Sequence, residues 1–167
     1  TLYNCVVIGN STTGTVTTGG GVSGGTLYNC IVVSNYSAAG DHNFNTNNIF
    51  GGVAVLSNCC TYPLPPSGTG NITNDPCFVD YANGDWHVRG KSPCINAGTN
   101  FPWMDSDTDL AAHARIFGGS VDIGAYEASV SALNITYTTG TVSTAWAVPI
   151  DASVYLESSD NLASNAK

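Results

Sequence analysis

Potential metal ligands are densest in the pentapeptide DSDTD, where Asp105, Asp107 and Asp109 alternate with small hydroxyl residues. Alternating aspartates offer carboxylate oxygens at the spacing of a calcium loop. The loop is incomplete, because Leu110 stands where such a loop needs glycine and no bidentate glutamate closes it. Calcium at this triplet is one expectation, and a solvated acidic turn is the plainer one.

Acid–base chemistry has fewer candidates. A lyase acting on acidic polysaccharides wants calcium held by carboxylates beside a Lys or Arg base. A glycosidase wants two carboxylates about 5–10 Å apart. Asp80 and Asp85, which flank Trp86 and His87, come nearest to such a pair, and Arg89 and Lys91 are the nearby bases. His42, His87 and His113 stand far apart with no nucleophile motif beside them, as loop histidines do. No catalytic residue is therefore expected, and a polysaccharide-active, lyase-like enzyme fragment is the alternative reading. Tyr3, Tyr28, Tyr36 and Trp103 could instead form an exposed strip on which sugars stack. Ordinary cross-strand stabilisation competes with that role.

Six cysteines in an acidic, Lys-poor chain point to an oxidising, extracytoplasmic setting. None lies in a C-x-x-C pair or at zinc spacing, so sulfur ligation of a metal is not expected. The formal net charge is −8, with four Lys and Arg in all, too few for a phosphate-tracking surface. Nucleic acid is thus excluded as a partner, and no apolar run is long enough for a membrane span. Charged residues make up 10% of the chain, and Gly, Ser, Thr and Asn supply its polarity instead. Those residues disfavour long helices and suit short strands broken by tight turns.

The elements that must position these side chains are announced by a repeat. TLYNCVVIGN at 1–10 returns as TLYNCIVVSN at 26–35 and, more weakly, as VLSNCCTYPL at 55–64. A unit of this length, rich in β-branched residues and Gly, predicts an all-β solenoid, a right-handed parallel β-helix of a few rungs. Leu2, Leu27 and Leu56 should point inward, with Asn4, Asn29 and Asn58 at a bend that Asn tolerates. Cys5, Cys30 and Cys59 should follow as an inward column of small apolar side chains, with Val7, Val32 and Thr61 beyond them. The three Asn amides are expected to bond to one another from rung to rung. Val16 and Val22 should face inward from the Gly/Thr-rich stretch 11–25, and a polar loop should occupy Asp41–Asn48. In-register cysteines are poorly placed for disulfides, so a bridge is expected among Cys60, Cys77 and Cys94, with its connectivity open.

Beyond residue 65 the repeat gives way to a different text. Asp75-Pro76, Phe78-Val79-Asp80, Gly84-Asp85, Ser92-Pro93, Ile95, Ala97-Gly98, Asp109-Leu110, Arg115-Ile116 and Val121 through Glu127 follow in order. Over residues 68–127 this resembles the bacterial extracellular right-handed parallel β-helix proteins that carry a choice-of-anchor Q segment. The chain departs from that pattern at Cys77, Val88, Cys94, Asn96, Ala112 and His113. The resemblance implies a β-helix with an extracellular or cell-surface location, and no single activity. From the residues themselves, Arg115 should bridge Asp122 and Glu127. Phe78, Trp86, Ile95 and Phe101 should plug the open end of the core.

These readings divide the chain into rungs at 1–66, last rungs and a closing segment at 67–128, and a partial β-strand appendage at 129–167. The alternation in ALNITYTTGTVSTAWAV and ASVYLESSDNLAS carries the last assignment. Because the first copy opens at Thr1, the chain is expected to be a piece of a longer protein. Self-association through an uncapped first rung, giving an end-to-end fibre, is a further expectation. The function expected is a non-catalytic structural or adhesive surface module, with polysaccharide or other surface proteins as partners.

Overall fold

The computed structural model describes residues 1–13, 19–37, 40–41, 53–128, 134–138 and 141–145. Their regular structure is short strands with two 3-10 turns and no α-helix, an all-β chain. Residue contacts divide it into two compact units, Thr1–Ala128 and Ser129–Lys167. In the first unit the strands are β1 (Leu2–Tyr3), β2 (Val6–Ile8), β3 (Thr26–Tyr28), β4 (Ile31–Val33), β5 (Tyr36–Ser37), β6 (Gly40–Asp41), β7 (Val55–Ser57), β8 (Cys60–Thr61), β9 (Phe78–Asp80) and β10 (Asp85–Val88). The second unit contains β11 (Asn134–Thr138) and β12 (Thr141–Ala145), an antiparallel pair with Asn134 opposite Ala145. His42, Val16, Asn43–Asn48 and the segment 152–164 lie outside the described residues.

The repeat builds two parallel sheets, ordered β1-β3-β7 and β2-β4-β8. Leu2, Leu27 and Leu56 are direct partners in the first, and Val7, Val32 and Thr61 in the second. Between the sheets each copy turns at an Asn in the left-handed region, with φ of 48° at Asn4, 53° at Asn29 and 50° at Asn58. A β-branched or bulky side chain there would crowd the following carbonyl, whereas Asn enters this region readily. Leu27, Leu56, Cys30, Cys59, Val32 and Val22 then close one core, with Cys5 and Val7 packed against it.

The opposite face of the second sheet is also covered. Ile31 and Cys60 join Phe78, Val88, Cys94 and Ile123 in a second buried cluster, against which Val6, Ile8 and Val33 pack. This explains why the copies read CVVI and CIVV as unbroken apolar runs instead of alternating. A parallel sheet buried on both faces has no polar side to show.

Phe78, Trp86 and Ile95 therefore do not plug the end of the first core. They lie along the flank of the second sheet, because the outward apolar side chains of β2, β4 and β8 demand cover there. Phe101 goes elsewhere still, edge-on to Tyr3 and Tyr28 at 5.2 and 5.3 Å.

The same segment grips the first bend. Asn29 donates from Nδ2 to the Thr99 carbonyl (2.9 Å) and accepts the Thr99 N–H at Oδ1 (2.8 Å). Asn4 donates to the Asp122 carbonyl, and Asn58 accepts from the Thr99 hydroxyl. The bend amides thus reach out to the flank, correcting the expected rung-to-rung Asn ladder. Gly98 permits the approach, since a Cβ there would sit 2.7 Å from Val121 and 3.1 Å from the Asn29 amide.

An Asn ladder does form one bend later. Asn10 donates from both its backbone N–H and Nδ2 to Asn35 Oδ1, each at 3.0 Å, and Asn35 Nδ2 bonds the Val7 and Val33 carbonyls. Both decapeptides end in this Asn, so the signal was present in the repeat.

Candidate functional site

The flanking segment places two tryptophans and a tyrosine around a cleft of about 500 Å³. Trp103 comes from the 3-10 turn Pro102–Ser106, which Met104 anchors by burying its side chain. Trp86 comes from β10, the second strand of a hairpin whose tight turn Asp80 caps by accepting the Asn83 N–H. Tyr126 is stacked on His87 at 3.9 Å, and the His87 ring is held in turn by Asp85 at 2.6 Å. That contact keeps the Asp85 carboxyl below the usual carboxylate range. Trp103 is 42% exposed, so much of its ring is open to a ligand.

The polar part of the cleft is supplied by Asn4, Asp107, Thr108, Asp109 and Arg115. Asp107 and Thr108 are exposed, whereas Asp109 and Arg115 are buried beneath them. Arg115 spends its two terminal nitrogens on the Ala125 and Gly124 carbonyls, at 2.9 and 2.7 Å. Its Nε lies 3.8 Å from Glu127 Oε1 and has no hydrogen-bond partner. Asn4 Oδ1 is likewise without one. Asp109 accepts the N–H groups of Ala111, His113 and Glu127. Asp122 accepts those of Asn96 and Ala128, and Glu127 that of Asp122.

The expected Arg115 bridge is thus a looser arrangement: the guanidinium stands 3.8 Å from Glu127, makes no ion pair with Asp122, and spends its bonding on backbone carbonyls. Burial, with the neighbouring Asp122 charge, pushes the Glu127 carboxyl up to about 8. Burial also raises Asp122. One guanidinium cannot neutralise three desolvated carboxylates, so the proton is retained by the most crowded of them.

Other candidates separate. Tyr3 and Tyr28 stack at 5.3 Å with their planes 14° apart, the column expected from the repeat, and Trp103 meets Tyr3 edge-on at 5.8 Å. Tyr36 is not part of that group. It lines a second cleft of about 410 Å³ with Tyr62, Tyr81 and Asp75. Asp105, Asp107 and Asp109 do not converge, and no group of three His, Cys, Asp or Glu side chains among the described residues is arranged to hold a metal ion. Asp80 and Asp85 are committed to their own turns. Among the described residues no helix is long and apolar enough to cross a membrane. Trp86 and Tyr126 escaped sequence reasoning as cleft walls, because they lie 40 residues apart and meet only through the flank packing.

No protein-family model matches the chain, and searches of curated proteins and of solved structures return no match.

Proposed function

We propose that residues 1–128 form a short right-handed parallel β-helix serving as a non-catalytic, glycan-contacting module at a bacterial surface. The observation that carries this reading is the cleft walled by Trp86, Trp103 and Tyr126 with Asp107 and Thr108 at its rim. Sugars offer patches of C–H to aromatic faces and hydroxyls to carboxylates and amides, and this lining presents both kinds of partner. Two in-register parallel sheets joined in each copy by the same left-handed Asn bend support the helical winding, and the right-handed sense is the one that parallel crossovers favour. The buried Asp109 carboxylate is occupied on both oxygens by backbone N–H groups, a positioning role, whereas the exposed Asp107 accepts one backbone N–H on Oδ1 and keeps Oδ2 for a sugar hydroxyl.

The test is a glycan-array screen followed by calorimetric titration of the best oligosaccharide. Trp103→Ala should weaken binding by tenfold or more, as loss of a central aromatic anchor does, which is about 1.4 kcal/mol. Tyr62→Ala, in the other cleft, should leave it unchanged. An array without hits, or a Trp103→Ala protein that binds as well as the parent, would overturn the reading.

A further inference from the structure

All six cysteines are thiols in the structure. Cys5, Cys30 and Cys59 follow in-register bends on the inner side, so their Cβ vectors run parallel at about the 4.8 Å strand spacing. A disulfide wants Cβ atoms about 3.8 Å apart and pointing toward each other, which a parallel column denies. Cys77 is half-buried at a left-handed position and turns its sulfur back to the Asp75 carbonyl.

Cys60 and Cys94 stand apart from these. Cys60 lies on β8 opposite Ile31, facing outward from the second sheet. Cys94 belongs to the segment that covers that face, where its carbonyl accepts the Ile123 N–H. Both are completely buried in one apolar cluster. Within that cluster each thiol is the other's strongest electrostatic neighbour across the sheet–flank boundary, while Cys60 Sγ also donates to the Asn74 carbonyl at 3.2 Å.

We propose that Cys60 and Cys94 are joined by a disulfide when the chain folds under oxidising conditions, stapling the flanking segment to the third copy of the repeat. The oxidant is a small disulfide such as oxidised glutathione. One cysteine thiolate attacks it, forming a mixed disulfide and expelling one glutathione thiolate. The second cysteine thiolate then attacks the protein sulfur of the mixed disulfide and expels the other. Two protons leave the protein and two electrons reduce the glutathione disulfide to two thiols. Because both sulfurs are sealed in the native fold, this exchange takes place before the flank seats, and the reduced native protein is inert to it.

The test refolds the full chain from urea in a glutathione redox buffer, alkylates free thiols, and digests without reduction using a protease that cuts before Asp. The resulting peptide 41–74 carries Cys59 and Cys60, peptide 75–79 carries Cys77, and peptide 85–104 carries Cys94. The expected product is 41–74 linked to 85–104, two hydrogens lighter than the separate peptides. The link should survive Cys59→Ser and vanish in Cys60→Ser. Full alkylation of all six cysteines, a link to 75–79, or a link that persists in Cys60→Ser would each overturn the assignment.

Discussion

Replacing Asn29 should separate the two things this residue does. Its side chain is fully buried, its backbone sits at φ 53°, and it exchanges two hydrogen bonds with Thr99. Loss of two such bonds costs about 1 kcal/mol each. Forcing an alanine into the left-handed region adds about 1 kcal/mol, so Asn29→Ala should cost about 3 kcal/mol. Asn29→Gly loses the same bonds without the left-handed strain, offset in part by about 0.5–1 kcal/mol of extra unfolded-chain entropy. It should therefore cost no more than the alanine, and at most about 0.5 kcal/mol less. Asn4 shares the backbone geometry but makes a single bond to the flank, at 3.2 Å, so Asn4→Ala should cost about 2 kcal/mol. The assay is urea denaturation followed by tryptophan fluorescence, in which Trp86 and Trp103, two of the three tryptophans, report on the flank. Equal losses for Asn29→Ala and Asn4→Ala would refute the role of the Thr99 grip. A glycine more damaging than alanine at residue 29 would refute the left-handed argument.

Two further outcomes follow from the buried carboxylates. Glu127 titrates at about 8 in the fold against an ordinary value near 4.3, so its contribution is full below the lower figure and is lost as pH rises through the higher one. Stability should fall by a few kcal/mol between about pH 5 and 9, with Asp122 acting in the same direction. Glu127→Gln should flatten the profile, and a parent protein equally stable at both ends would contradict the assignment. Because Asp109 spends both oxygens on backbone N–H groups and the triplet does not converge, millimolar calcium should leave the melting temperature within about 1 °C of its value in chelator. A rise of several degrees would restore the calcium loop.

Much of the first unit was legible in one dimension. The decapeptide repeat carries its own register, since identical residues at identical places can only stack on themselves. Leu2–Leu27–Leu56, the left-handed Asn bends, the inward cysteines and the Tyr3–Tyr28 stack all follow from that periodicity. What covers the second sheet did not follow, because apolar runs such as CIVV show that both faces are buried without saying by what. Only the fold brings Phe78, Cys94 and Ile123 against that outer face and so turns an expected end plug into a lateral flank. The same packing redirects the Asn29 amide from its neighbours in the column to Thr99. It also brings Cys94 and Cys60 into one buried cluster and Trp86 and Trp103 to the walls of one cleft. These pairs are distant in sequence and belong to no repeat, so their meeting is fixed by which apolar surfaces must be hidden from water, a quantity that exists only once the chain is folded.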